Sequence, residues 1–226
     1  MSRQAICIHY TNFNADKFIV SKPKQVNTRN NLKMNISEIS YLNDKNEACD
    51  FYILLSKIET YGPYPQYPIN CTSKSPESIC GFTIAYQNEE VNKLLKNIQK
   101  IIMKKYKKLN IKPVFTTNRN EIETAYFKLK MRNNKIDTQF YSDNKKCLDI
   151  NGLDIVSKFG QLTPKIQIRS LYHGSHGTSD YNCSLQITMV EAVFKVKQSL
   201  VPECEGEYID IDEDNEDNED NEDNDD

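Results

Sequence analysis

The stretch AYFKLKMR, residues 125–132, is the part of the sequence that decides the fold class. Its odd-numbered positions hold alanine, phenylalanine, leucine and methionine, and its even-numbered positions hold a tyrosine and three cations. A two-residue period of this kind is typical of a β-strand that packs one face on a core and exposes the other. The sequence therefore predicts a strand whose solvent face carries Tyr126, Lys128, Lys130 and Arg132.

Strand-like patterns recur along most of the chain. Further strands are predicted at residues 4–9, 17–20, 32–37, 50–58, 80–86, 136–141, 164–172 and 181–197. We expect 136–141 to fold back on 125–132 through Asn133-Asn134. The last strand should carry a β-bulge near Val190, because its alternation of apolar and polar residues shifts phase there.

One amphipathic helix interrupts the strands. Asn88 is a suitable N-cap, and apolar residues from Val91 to Ile102 then recur at helical spacing, which predicts a helix ending near Leu109. Its C-terminal end carries the cluster Lys104, Lys105, Lys107 and Lys108. These lysines could follow phosphates, although a favourable interaction with the helix dipole is the more common reason for such a cluster.

The charge of the chain is strongly divided. Of its 32 acidic residues, 15 lie in residues 203–226, which contain no Lys or Arg. Residues 1–202 therefore carry 29 basic and 17 acidic residues, a net charge of +12. This division predicts one folded domain over 1–202 that prefers polyanions, followed by a disordered acidic tail over 203–226.

Sequence motifs for catalysis and cofactor binding are missing. The chain has 7 glycines, and it contains no phosphate-binding loop, dinucleotide-binding, zinc-protease or nucleophile-elbow motif. His173 and His176 flank a glycine, but a metal site would need two further ligands, so a polar turn is the better interpretation. We therefore expect no enzyme activity, no cofactor and no metal.

Cysteine usage and hydropathy indicate the compartment. The 7 cysteines are scattered without a CxxC pair, which favours free thiols in a reducing environment. The N-terminus lacks a signal-like apolar run, and no stretch approaches the roughly 20 apolar residues of a membrane span. The sequence thus predicts a cytoplasmic protein without a membrane partner.

The polar face of residues 125–132 is the best candidate site. A ring for base stacking beside cations for phosphates is the combination that single-stranded nucleic-acid binding requires. An ordinary solvated strand face is the alternative. Lys165, Arg169 and Tyr172 in the strand 164–172 could extend the same surface.

A second candidate is the segment YGPYPQY, residues 61–67. Its prolines exclude a helix or a central strand and stiffen the chain, so Tyr61, Tyr64 and Tyr67 would lose little entropy on stacking with bases. The alternatives are tyrosines that pack back on the domain, or a proline-rich motif for a partner domain.

Several short motifs are similar to those of the single-stranded-DNA-binding proteins of nucleocytoplasmic large DNA viruses, of the poxvirus and asfarvirus kind. They are LTPKI at 162–166, GTS at 177–179, SLQIT at 184–188 and the start of an acidic tail, YIDIDED, at 208–214. Phage single-strand binders with acidic tails are a second comparison. Those typically end in an aromatic residue, whereas this chain ends Asp225-Asp226, and the departure argues against the phage type.

The resemblance implies a mainly β, OB-like barrel without catalysis that binds single-stranded DNA regardless of sequence at viral replication sites in the host cytoplasm. The acidic tail would compete for the basic groove and recruit replication proteins, and the protein could form homo-oligomers on DNA. An RNA-binding factor, or a virion or interaction protein that does not bind nucleic acid, remains an alternative.

Overall fold

The structure is a computed structural model. It describes residues 5–27, 33–67, 79–106, 109–117, 119, 121–132, 135–142, 147–148, 155–156, 158–174 and 181–197. Four of the sequence predictions lie outside these residues: the tail at 203–226, the Asn133-Asn134 turn, Lys107 with Lys108, and the turn that contains His176 and the GTS motif.

Seventeen strands and one α-helix occur in the described part of the chain. The first eight strands are β1 (Ala5–His9), β2 (Phe18–Val20), β3 (Lys24–Asn27), β4 (Lys33–Leu42), β5 (Ala48–Leu54), β6 (Ile58–Tyr61), β7 (Tyr64–Gln66) and β8 (Gly81–Tyr86). The helix α1 (Glu89–Lys105) follows. The remaining strands are β9 (Ile111–Lys112), β10 (Phe115–Thr117), β11 (Glu123–Leu129), β12 (Met131–Arg132), β13 (Lys135–Ile136), β14 (Gln139–Tyr141), β15 (Cys147–Leu148), β16 (Phe159–His173) and β17 (Cys183–Val196).

The long antiparallel pair β16–β17 is the centre of the sheet. On one side β17 pairs with β11 in parallel, β11 pairs with β8, and β8 pairs with β7. On the other side β16 pairs with β4, β5 and β6. Among the described residues no ladder joins β6 to β8, and the ring of strands is completed there by a side chain, since the Thr60 hydroxyl donates to the carbonyl of Ala85 over 2.9 Å. The mainly β class with one helix is confirmed, and the closed ring is the feature expected of an OB-like barrel.

Two β-bulges bend the central pair. The bulge predicted at Val190 is confirmed, because Lys165 faces Glu191 whereas Ile166 faces Met189. A second, unpredicted bulge lies at Arg169, between the pairs Ile168–Ile187 and Ser170–Gln186. It allows Ile168 and Leu171, three residues apart, both to be buried in the core.

The helix covers the inner face of the barrel. The Asn88 side chain accepts a hydrogen bond from the backbone N–H of Val91 over 3.0 Å, which confirms the predicted N-cap. The apolar face of α1 includes Leu95 and Ile98, which are fully buried in the same core cluster as Phe127.

In the part of the chain that the structure describes, no helix is long and apolar enough to cross a membrane.

The helix ends at Lys105 rather than near Leu109. The reason is tertiary: the Lys105 ammonium donates to the carbonyl of Val20, and the Tyr106 hydroxyl donates to that of Ser21, both over 2.7 Å. Tyr106 has left the helical conformation to make this contact. Lys105 is therefore tied to the barrel.

One predicted pairing is confirmed for its first part and wrong for its second. Lys135–Ile136 pairs with Met131–Arg132, and the N–H of Asp137 donates to the carbonyl of Lys130 over 2.7 Å, whereas β14 pairs in parallel with β17. The Thr138 side chain explains the change of partner, since its hydroxyl donates to the carbonyl of Met189 over 2.6 Å and accepts from the N–H of Lys130. This buried hydroxyl joins the end of β11 to β17.

Candidate nucleic-acid interface

The outer face of the sheet carries a continuous row of polar and aromatic residues. Strand register places its members opposite one another, in the order Tyr64, Thr83, Lys128, Thr188, Gln167, Tyr52 and Cys7. The adjacent inner row contains Leu129, Met189, Ile166 and Ile53, which are buried. The alternation predicted for residues 125–132 is confirmed: Tyr126 and Lys128 are exposed and Phe127 is buried.

A groove opens on this face beside Lys128. Strands β11 and β17 are paired at Lys128–Leu129 and Thr188–Met189. Towards their N-terminal ends, β17 pairs with β9 and β11 pairs with β10, so the segment 111–117 spans the space between them. The resulting groove has a volume of about 490 Å³. Its walls include Met34, Ile36, Lys112, Phe115, Tyr126, Lys128, Ser170, Tyr172, Ser184 and Gln186.

The groove combines aromatic surface with positive charge. Tyr126 is 50% exposed on one wall, and Tyr172 lies on another. Lys112 and Lys128 supply two cations, and neither forms an ion pair with a residue that the structure describes. Among the described residues that line the groove, none carries a carboxylate. A polyanion with planar bases would therefore meet complementary chemistry at this site.

Three of the predicted phosphate-binding cations are already paired. Lys130 contacts the Asp137 carboxylate at 2.7 Å, and Arg132 lies 3.6 Å from the same oxygen atom. The hydrogen bond from Lys130 lowers the pKa of Asp137 below its ordinary value. Lys165 contacts Glu191 at 2.6 Å, and this hydrogen bond raises the pKa of Lys165. Of the predicted strand cations, Lys128 is the one that lines the groove, and it has no ion pair with a described residue.

The YGPYPQY segment lies beside the groove. It contains the end of β6 and the short strand β7, which pairs with β8 and accommodates Pro65. Tyr64 is half-buried, and burial is the main cause of its raised pKa, followed by the electrostatic influence of Tyr61 and Tyr126. The fold thus brings Tyr61, Tyr64 and Tyr126 together, while Tyr67 is half-buried at the last described residue before the gap at 68–78.

The remaining predicted residues occupy different positions. Arg169 is exposed at the second bulge, next to Ser170 of the groove wall. The Tyr172 ring packs over Gly174, where an added Cβ would lie 2.4 Å from the tyrosine oxygen. His173 ends β16 with its Nε2 atom 2.9 Å from the Ser37 hydroxyl, and burial lowers its pKa. No group of three or more His, Cys, Asp or Glu side chains could hold a metal ion among the described residues.

Sequence reasoning missed the wall of the groove formed by Lys112 and Phe115. Their strands are two and three residues long, which is too short for an alternation of apolar and polar residues to be recognised. Pro113 marked this segment only as the region beyond the helix. Lys96 lies 4.9 Å from the centroid of the Phe115 ring, so this ring is partly covered from the helix side.

Several solved structures are similar to this chain, and all of those named below are single-stranded DNA-binding proteins of phages. No protein-family model matches the chain, and no curated protein sequence matches it. The single-stranded DNA-binding protein from bacteriophage Enc34 is 11% identical, with a TM-score of 0.38, and the match covers 84% of this chain and 98% of that protein. The same phage protein in complex with ssDNA is 10% identical, with a TM-score of 0.36 over 71% of this chain and 91% of that one.

The third structure is gp2.5, a single-stranded DNA-binding protein encoded by bacteriophage T7. It is 11% identical, with a TM-score of 0.37, and the match covers 69% of this chain and 97% of gp2.5. All three are phage proteins, so none supports the finer resemblance to the poxvirus and asfarvirus kind. With TM-scores below 0.5, these likenesses assign nothing to this chain by themselves, and its function has to be inferred from its own surface.

Proposed function

We propose that this protein binds single-stranded DNA without sequence preference, with the strand lying in the groove between β11 and β17. The observation that carries the proposal is the exposed Tyr126 beside Lys128 and Lys112, in a groove whose described lining has no carboxylate and where neither lysine has an ion pair with a described residue. Stacking accepts any base, because every base has a π-face, and the lysines act on phosphates that are common to all sequences. Such a site favours single strands over duplexes, whose bases are already stacked.

Protection of exposed single strands during replication is the role that we propose for this binding. The acidic residues 203–226 would mimic the phosphate backbone and, being tethered, would compete for the groove at high effective concentration. A single strand that displaces them would leave them free to recruit basic replication proteins. The net charge of +12 on residues 1–202 supports this competition.

A titration with fluorescent oligo-dT tests the proposal. The full chain should bind, and its log K should fall linearly with log salt concentration. Negligible affinity at low salt would refute nucleic-acid binding and leave a protein–protein role. Removal of residues 203–226 should tighten binding, and an unchanged affinity would refute tail competition alone.

Tyr126 variants test the location of the site. Tyr126→Ala should weaken binding by about 5- to 150-fold, corresponding to about 1–3 kcal/mol for one stacked base, whereas Tyr126→Phe should retain most of the affinity. Met103→Ala is the control, since Met103 has a similar exposure on the outside of α1. Equal affinities of Tyr126→Ala and the wild type would place the site elsewhere. A matched RNA oligonucleotide is the comparison, because only RNA offers a 2′-hydroxyl, and tighter binding of RNA would change the proposed ligand.

A further inference from the structure

Tyr61 and Phe159 form an exposed aromatic pair at the end of the barrel where β16 begins. They are cross-strand partners on β6 and β16, with ring centroids 5.2 Å apart and an angle of 61° between the ring planes. Tyr61 is 51% exposed and Phe159 is 38% exposed. Aromatic side chains usually bury most of their surface, so this pair offers ring area to a ligand.

The backbone beneath the pair is tightly packed. The Gly62 N–H donates to the carbonyl of Lys158 over 2.7 Å, and a Cβ at Gly62 would lie 1.8 Å from the carbonyl oxygen of Ile155. A Cβ at Gly160 would lie 2.4 Å from the carbonyl oxygen of Lys195. Only glycine fits at these two close approaches. The two rings therefore stand on a fixed backbone, and ordering them for a ligand costs little entropy.

A cation lies beside the rings. The Lys197 ammonium is 5.9 Å from the centroid of the Phe159 ring, and the Lys197 N–H donates to the Phe159 carbonyl over 3.0 Å. Lys197 also forms an ion pair with Glu59. Lys195 lies on the same face, because Gln161 is in register with both Lys195 and Glu59. Lys197 is compensated by Glu59, as Lys165 is by Glu191, so the exposed rings are the main feature that this corner offers to a ligand.

The aromatic pair continues the surface of the groove. Tyr126 is directly opposite Ala85 on β8, and the carbonyl of Ala85 accepts the hydrogen bond from Thr60, the neighbour of Tyr61. The order of strands from Tyr126 to Phe159 is therefore β11, β8, β6 and β16. Three interstrand spacings correspond to about 14 Å, a distance that one DNA strand can span. Ala85 has a small side chain and leaves the path open.

We propose that Tyr61 and Phe159 form a second subsite for the same single strand. This inference rests on the proposed function, since it extends the strand from the groove across β8 and β6. One base stacks on the exposed aromatic pair. The groove is sufficient for a short oligonucleotide, whereas the aromatic pair contributes only when the strand is long enough to reach it.

Length-dependent binding tests this subsite in the full chain. The probes are two fluorescent oligo-dT strands: a dinucleotide, whose two bases occupy the groove without reaching β6, and a strand of about 16 nucleotides, the upper end of the site sizes for one OB-fold. Phe159→Ala should leave the affinity for the short probe unchanged and should weaken binding of the long probe by at least about fivefold. Phe159→Tyr should bind both probes as the wild type does. Phe159→Leu, which keeps apolar bulk without the ring, should behave like Phe159→Ala and controls for loss of packing.

The outcomes separate the two proposals. Tyr126→Ala should weaken binding of both probes, and Met103→Ala should affect neither. If Phe159→Ala and Phe159→Leu bind the long probe as tightly as the wild type while Tyr126→Ala does not, the second subsite is refuted and the groove remains. If Tyr126→Ala also binds both probes normally, the proposed function of the groove fails first.

Discussion

Lys128 and Lys165 were equivalent candidates in the sequence, but the structure gives them different electrostatic surroundings. Lys128 lies on the groove wall without an ion pair among the described residues, whereas Lys165 is held by Glu191 at 2.6 Å. A phosphate about 4 Å from the Lys128 ammonium in a water-like dielectric contributes about 1 kcal/mol. We therefore expect Lys128→Gln to weaken oligo-dT binding by about fivefold at low salt.

The salt dependence gives a second measure of the same contact. Each phosphate neutralised on a single strand contributes about 0.7 to the slope of log K against log salt. Lys128→Gln should lower the slope by about this amount, so its deficit relative to the wild type should shrink by about 2.6-fold between 50 and 200 mM salt. Fluorescence anisotropy at four or more salt concentrations measures both the affinity and the slope.

A matched control removes a cation without removing net charge. The double variant Lys165→Gln/Glu191→Gln deletes an ion pair, so its slope should equal that of the wild type. A phosphate contact of Lys128 is refuted if Lys128→Gln has the wild-type slope, and the distinction between paired and unpaired lysines is refuted if the double variant loses as much slope as Lys128→Gln. The second result would mean that the pairing seen on the protein surface does not decide which cations meet phosphates.

Two further predictions concern the stability of the fold. Phe127 is 1% exposed, so Phe127→Ala should lower the free energy of unfolding by about 3–5 kcal/mol in urea titrations. Tyr126→Ala should change the free energy of unfolding little, because Tyr126 lies on the exposed face. Similar losses for both variants would contradict the assigned strand faces. Burial lowers the pKa of His173 below 6.5, so the fold favours the neutral imidazole. Its contribution is fully present above about pH 6.5 and is lost as the pH falls below that value towards the pKa of the folded state. The urea midpoint of the wild type should therefore fall more between pH 7.5 and 5.5 than that of His173→Gln, and equal changes would refute this role.

Local patterns were sufficient for the strand and helix predictions that succeeded. Apolar and polar residues alternate over 125–132 because one face of the strand contacts Ile84 and Met189 in the core and the other contacts solvent. This alternation can be recognised from the sequence alone. The bulge at Val190 was visible for the same reason, since one extra residue moves every later side chain to the opposite face. The bulge at Arg169 also left a signal in Leu171, which breaks the alternation of Ile166 and Ile168.

Contacts between distant segments could not be predicted in this way. The end of α1 at Lys105 depends on the carbonyls of Val20 and Ser21, 85 residues earlier in the chain. The ion pair of Lys165 depends on strand register, which places Glu191 directly opposite. The groove itself depends on the strands β9 and β10, which are too short to show an alternation of apolar and polar residues. A sequence pattern identifies which residues face solvent, but not which charges are compensated there.

The short pairing between β11 and β17 has a consequence for the energetics of binding. Within the described residues, two pairs, Lys128–Thr188 and Leu129–Met189, form this ladder, and the buried Thr138 hydroxyl reinforces it. This two-pair ladder connects the part of the barrel that carries the helix to the long β16–β17 pair. A DNA strand bound across this ladder would contact both β11 and β17 and would oppose their local separation. Ligand and fold would then stabilise each other by mass action, because bound DNA would hold this short ladder closed.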